Sequence, residues 1–312
     1  MHRFHNILFV SHGIKNETEA LQLALKLASK NEAQLHILIT CPPFPDTLSE
    51  YKTSYEASLI DKMNKAIQLA KSGLGVSKKK IPIDIEVDCG TTPDIRIIRH
   101  VLKNSHDLLI KEAETREGMK GFKALDMELL RKCPCALFLY RPLKHTQQDI
   151  RIAVAIDPKD EEAEALDLSL RLLEVAHSLN VRYQGKLSII SCWEFALESY
   201  LRDSVWLKIS KEELDRIVAE EKHVHGLLLQ ELIKRSQISG AYQIDHLKGQ
   251  PEEVIPAIIT HKRIDILVMG TVARTGISGF MIGNTAENIL QDIDCSLLAL
   301  KPQGFVSPVK AY

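Results

Sequence analysis

Ile266-Leu-Val-Met-Gly270-Thr-Val-Ala273-Arg274-Thr-Gly276-Ile-Ser-Gly279-Phe280-Met-Ile-Gly283-Asn284-Thr285-Ala-Glu287 is the stretch that decides the fold. An apolar run stops at a glycine, a glycine-spaced loop follows, and an Asn-Thr pair opens a helical pattern. Strand, loop and helix N-terminus in that order let backbone N–H groups close around a phosphate. A tight strand-to-helix connection with no ligand is the plain alternative. The frame also occurs earlier without the chemistry, as Leu108-Leu-Ile-Lys-Glu112 followed by Arg116-Glu-Gly118-Met-Lys-Gly121-Phe122.

Working outward, further segments repeat in the same order. Asn6-Ile-Leu-Phe-Val-Ser11 answers Ile152-Ala-Val-Ala-Ile156, and Gly90 before Pro93 answers Gly249 before Pro251. His106-Asp-Leu-Leu-Ile answers Ile264-Asp-Ile-Leu-Val, and Cys135-Ala-Leu-Phe-Leu-Tyr-Arg-Pro142 answers Cys295-Ser-Leu-Leu-Ala-Leu-Lys-Pro302. Matched anchors in one order mark a tandem duplication, with halves 1–145 and 150–312 joined by the polar segment Thr146-Gln-Gln-Asp149.

Within each half, short apolar runs alternate with helical patterns. In the second half, strands are expected at 152–156, 187–191, 242–247, 264–269 and 297–300. Helices are expected at 161–179, 212–234, 252–261 and 285–292. Such alternation implies right-handed crossovers and an α/β fold, a mainly parallel five-stranded sheet per half with helices on both faces. Ligands bind such sheets at the carboxyl ends of the strands, where the strand order reverses. Asp157 and Gly270 would face one crevice there.

Composition limits the function. The chain has 312 residues, 45% of them hydrophobic, and a net charge of −1, which argues against a general polyanion binder. Residues 1–145 hold 22 Lys+Arg against 17 Asp+Glu and the rest 18 against 24, an imbalance that draws the halves together weakly once screened. No apolar run approaches the ~18 residues of a membrane span, and no signal-peptide core follows Met1. Six scattered cysteines in no stapling framework point to a reduced, cytoplasmic chain.

On these residues the chain resembles the universal stress protein family, and as a whole its tandem, E-type bacterial members. Nucleotide-binding members carry Gly-x2-Gly-x9-Gly-(Ser/Thr); here Gly270-Thr-Val-Ala273, nine residues, Gly283 and Asn284-Thr285 occupy that frame. Gly249-Gln-Pro-Glu-Glu-Val-Ile-Pro256, Gly283-Asn-Thr-Ala-Glu287 and the tail Lys301-Pro302…Ser307-Pro308 match the E-type. The resemblance implies two tandem universal-stress-protein-like domains forming an internal pseudo-dimer through their last strands, with a homodimer as the further assembly. It implies a non-enzymatic stress-response module whose ligand is ATP or another adenine nucleotide, with Mg²⁺ only as the companion of ATP.

Carried over by position, Asp157 meets the adenine or ribose, Gly270 and Gly283 leave backbone room for phosphates, and Asn284 and Thr285 contact phosphate oxygens. Arg274 is a phosphate partner by chemistry alone. Ala273 stands in place of the middle glycine, where a methyl intrudes, and Asn284 in place of a hydroxyl residue. In the first half His12 replaces Asp157 and Glu112 replaces Gly270, so that half is expected not to bind nucleotide. The competing readings are a scaffold or binder of a non-nucleotide small or apolar ligand, and a slow ATPase.

The remaining motifs favour structural roles. Asp157 before Pro158-Lys-Asp-Glu also suits a helix cap. Arg116, Lys120 and Lys123 read as a solvated loop, His223-Val-His225 as surface histidines and Cys133-Pro-Cys135 as buried thiols with no metal or redox pairing. Trp193 and Trp206 read as core or lid aromatics. No nucleophile elbow, zincin helix or Walker loop appears, and no basic stripe interleaved with aromatics marks a nucleic-acid surface.

Overall fold

In the computed structural model, residues 4–13, 17–74, 81–114, 120–159, 162–202, 209–271 and 282–312 are described. Ten strands form one sheet: β1 Asn6–Ser11, β2 Gln34–Cys41, β3 Ile83–Cys89, β4 Leu108–Glu112, β5 Ala136–Tyr140, β6 Arg151–Ala155, β7 Lys186–Trp193, β8 Gln243–Lys248, β9 Ile266–Gly270 and β10 Ser296–Leu300. Their order is β3-β2-β1-β4-β5-β10-β9-β6-β7-β8, so the second half repeats the first in mirror sequence. All pairings are parallel except the central one, where Leu297, Leu298 and Ala299 face Leu139, Phe138 and Leu137 antiparallel. Pairing the two short apolar last strands removes two edges that solvent exposure would make hazardous.

Because side chains alternate across a strand, each strand feeds both faces of the sheet. Ile7 and Phe9 join one buried layer, while Leu8 and Val10 join the other. The first layer is closed by α1 Thr18–Asn31, α2 Lys52–Leu74, α5 Ala163–Tyr183 and α7 Lys211–Arg235. The second is closed by α3 Pro93–Asn104, α4 Ala124–Lys132, α8 Pro251–Lys262 and α9 Asn284–Asp292. Among the described elements of the second half, the short α6 Glu198–Arg202 was not expected from sequence. Covering both faces explains why the strands read as continuous apolar runs.

The repeated aspartates fasten strands. Asp107 accepts from the backbone N–H groups of His5 and Asn6, at 2.6 and 3.1 Å. Its counterpart Asp265 accepts from Arg151 N at 2.8 Å and from Lys144 N at 2.6 Å, tying down the connection between the halves. Gln147–Asp149 in that connection is a 3₁₀ turn.

The repeated basic residue after each last strand reaches across to the other half. Arg141 Nη1 donates to Ile293 O at 3.0 Å, at the C-terminus of α9, and Lys301 Nζ donates to Leu130 O at 2.6 Å, near the C-terminus of α4. A cation at a helix C-terminus satisfies orphan carbonyls and meets the negative end of the helix dipole. Gly121 completes the first strap: its φ is +77°, its N–H donates to Ile293 O at 2.9 Å, and a Cβ there would lie 2.6 Å from Gln291 O. The repeated glycine is thus needed for close approach of the halves. Ion pairs across the junction follow the charge imbalance, with the cation in the first half: Arg131 with Glu287 and Lys144 with Asp294; His145 Nδ1 also lies 2.8 Å from Asp265 Oδ2.

One sequence expectation fails here. Cys41 and Cys89 form a disulfide, with Cα atoms 4.4 Å apart. The reading of the cysteines as unpaired treated them as scattered in sequence, but the parallel register of β2 and β3 sets these two directly opposite each other. Forty-eight residues separate them, so sequence spacing alone did not reveal the pair. Among the described residues, no helix is long and apolar enough to cross a membrane.

Candidate functional site

The strand order reverses between β6 and β9, and a cavity of about 610 Å³ opens there at their carboxyl ends. Asp157, Gly270, Gly283, Asn284 and Thr285 all line it. Ala273 and Arg274 lie outside the described residues, as do Arg116 and Trp206.

The donors come from the start of α9. Gly283 is its N-cap, with its own N–H donating to Thr271 O at 3.1 Å and its carbonyl accepting from Glu287 N at 2.9 Å. Gly283 therefore offers no N–H to a ligand, and its φ of −63° needs no glycine. The N–H groups of Asn284, Thr285 and Ala286 belong to the first helical turn, which lacks intrahelical acceptors. No side chain of the cap bonds them, and all three residues line the cavity. This is the geometry that favours an anion.

The other walls differ in character. Asp157 Oδ1 accepts from Lys159 N at 3.0 Å, closing a local turn; α5 begins only at Ala163, so the expected helix cap is not formed. Lys159 is in turn paired with Glu221 of α7. Leu168, Leu172, Ile190, Ile255, Met269 and Ile289 make the deeper lining apolar. A Cβ on Gly270 would lie 3.0 Å from Leu168 Cδ2, so a neighbouring side chain already uses the space beside this glycine. Cys192, also on the wall, has its thiol pushed up to about 11, by burial first and then by Asp157 and Glu252.

The equivalent place in the first half is filled by the chain's own charges. Lys111, at the position of Met269, is fully buried with its Nζ 2.9 Å from Asp126 Oδ1 and 3.0 Å from Glu112 O. Asp126, at the position of Ala286, is also fully buried and accepts from Glu114 N at 2.8 Å. His12 sits 3.6 Å from Glu114, and Glu17 reaches both Ser11 and the N–H of His12. A buried carboxylate in the first turn of α4 thus stands where α9 has Ala286. Sequence reasoning quoted Lys111 without using it, although a lone charge in an apolar strand demands a buried partner.

His225 corrects another expectation. It is buried, stacked on His246 with Nδ1 3.0 Å from Nε2, whereas His223 is exposed as expected. Burial and His246 both lower its pKa, leaving a neutral imidazole. Its partner lies on β8, beyond the reach of helical spacing. Among the described residues no group of three His, Cys, Asp or Glu is placed to hold a metal ion.

The family model described as the universal stress protein family matches residues 3–141 and again residues 151–301. The chain belongs to the universal stress protein family. The family unit thus occurs twice, once on each side of the β5–β10 contact. Universal stress protein E of Photorhabdus laumondii is 28% identical over the whole chain and 99% of its own length. Universal stress protein E of Escherichia coli K12 is 30% identical over 74% of this chain and 72% of its own. Among solved structures, a putative universal stress protein from Pseudomonas aeruginosa superposes with a TM-score of 0.71 at 21% identity. It covers 96% of this chain and 94% of its own, a likeness of fold.

Proposed function

We propose that the chain is a non-enzymatic, ligand-binding stress-response module with one anion-binding crevice, in the half spanning 150–312. The observation that carries this is the cavity of about 610 Å³ into which the first turn of α9 points its N–H groups. Its size falls in the ~300–1,000 Å³ range of small-molecule sites. ATP or another adenine nucleotide is the ligand proposed first. Asn284 and Thr285 would hold phosphate oxygens, Arg274 would pair with them, and Asp157 would meet the adenine or ribose, with Mg²⁺ arriving only on the nucleotide. Residues 1–145 serve as the non-binding half, their crevice closed by Lys111 and Asp126. A cytoplasmic setting belongs to the same reading.

A second reading draws support from the apolar depth of the cavity. Leu168, Leu172, Ile255 and Met269 suit a non-nucleotide ligand whose anionic end alone reaches α9. Slow ATP hydrolysis is disfavoured, since none of the described lining residues pairs a nucleophile with a base. Calorimetric titration with ATP, ADP and AMP separates these. A single site preferring the longer phosphate chain supports the nucleotide reading; no heat from any of the three leaves the apolar-ligand reading.

A further inference from the structure

At the centre of the sheet, where β5 begins beside the carboxyl end of β10, a second cavity of about 460 Å³ is lined by His106, Pro134, Cys135, Arg171 and Lys301. Cys133 and Cys135 are free thiols with their sulfurs 3.5 Å apart; Cys133 is fully buried, whereas Cys135 is partly exposed and faces the cavity. The matched segment of the second half, Ile293-Asp294-Cys295, carries a single buried thiol. The paired sulfurs are therefore a feature of the first half alone, and Lys301, the strap from the other half, ends beside them.

We propose that Cys133 and Cys135 are a redox-active dithiol, oxidised to an intramolecular disulfide by a small hydroperoxide entering the cavity beside Lys301. Cys135 is the sulfur within reach. Its attack on the peroxide forms an S–O bond and breaks the O–O bond, while its own proton leaves with the departing oxygen as water. Cys133 then attacks that sulfur, forming the S–S bond and expelling hydroxide. Lys301 holds the proton released by Cys133 and returns it to the hydroxide. Two thiols and one hydrogen peroxide give one disulfide and two waters; the sulfurs lose the two electrons the peroxide gains.

The surroundings suit each part. The contact with Cys135 first of all lowers the pKa of Cys133, with Lys301 helping, while the same contact and then burial raise that of Cys135, so Cys135 meets the peroxide as the protonated thiol and negative charge gathers on the resolving sulfur. Burial pulls Lys301 down to about 8, the range in which an amine both takes and gives a proton near neutrality. Sulfurs already 3.5 Å apart need side-chain rotation more than backbone movement to bond. Cys295, buried and without a second thiol at the matched position 293, serves as an internal control.

The test treats the full-length protein with stoichiometric hydrogen peroxide, alkylates the remaining thiols and maps the tryptic peptide 133–144, since Pro142 protects the bond after Arg141. That peptide should lose two hydrogens and both alkylation sites, while Cys192 and Cys295 stay alkylatable. Cys133→Ser should strand Cys135 as a dimedone-trapped sulfenic acid. Lys301→Met should slow disulfide formation by about tenfold, the worth of one pKa unit of proton handling, with Lys301→Arg failing to restore it because guanidinium keeps its proton. Thiols at 133 and 135 that outlast Cys192 or Cys295, or oxidation there to sulfinic acid with no disulfide, would overturn the proposal. The wild-type mapping decides it even if a variant misfolds.

Discussion

Converting the buried pair of the first half to its counterparts in the second gives a quantitative test of why the halves differ. Asp126→Ala leaves the fully buried Lys111 with the Glu112 carbonyl at 3.0 Å and only the more distant Glu114 carboxylate at 3.9 Å, and removes the acceptor of Glu114 N–H. Losing one member of such a pair costs about 3–5 kcal/mol, because the remaining charge has no solvent to return to. Lys111→Met strands Asp126 in the same way, relieved only by its bond from Glu114. The double variant Lys111→Met with Asp126→Ala removes both charges and places Met and Ala where the second half has Met269 and Ala286. Its cost should fall to about 1–2 kcal/mol, the unsatisfied Glu114 N–H and lost contact with Glu112 O being what remains. The coupling, about 4–9 kcal/mol, is read as a non-additive shift of the urea midpoint at constant slope. Additive midpoints, with the double variant as damaged as the two singles summed, would refute the reasoning.

Three further outcomes follow. Replacing both straps, Arg141→Met with Lys301→Met, should cost about 1–3 kcal/mol per strap through orphaned helix-end carbonyls; unchanged thermal unfolding would show the straps are incidental. His106 is held down to about 3 by burial and by His100 and His36, so it stays neutral when folded. The unfolded chain takes that proton below about 6.5, so stability should fall as pH drops from 6.5 toward 3, and His106→Asn should flatten this acid slope in denaturation curves. Ala273→Gly with Asn284→Ser should raise ATP affinity about thirty- to nine-hundredfold if those two substitutions weaken the site, as a regained contact and hydrogen bond of ~1–2 kcal/mol each would require; equal calorimetric affinities would show they do not.

Most of the architecture was legible because it rests on local periodicity. Apolar runs of about five residues and the matched anchors located the second half's strands and long helices, and the family resemblance implied the junction of β5 with β10. What stayed hidden depends on partners distant in sequence. Cys41 and Cys89 meet only through strand register, His225 meets His246 through the packing of α7 on the sheet, and Arg141 and Lys301 find their acceptors in the opposite half. The site was legible in part. Asp157, Gly270, Asn284 and Thr285 lie together on one cavity because strand ends and helix starts are set by the topology. The use of Gly283 as a cap, and of the space beside Gly270 by Leu168, depends on packing that the motif does not encode.

The most direct test of a single crevice, open in one half and closed in the other, is native mass spectrometry of the full chain titrated with ATP. One nucleotide should bind per chain. Ala286→Asp, which gives α9 the carboxylate that Asp126 gives α4, should abolish it, while Glu112→Ala leaves it unchanged. Two nucleotides of similar affinity, or binding that survives Ala286→Asp and vanishes with Glu112→Ala, would contradict the assignment.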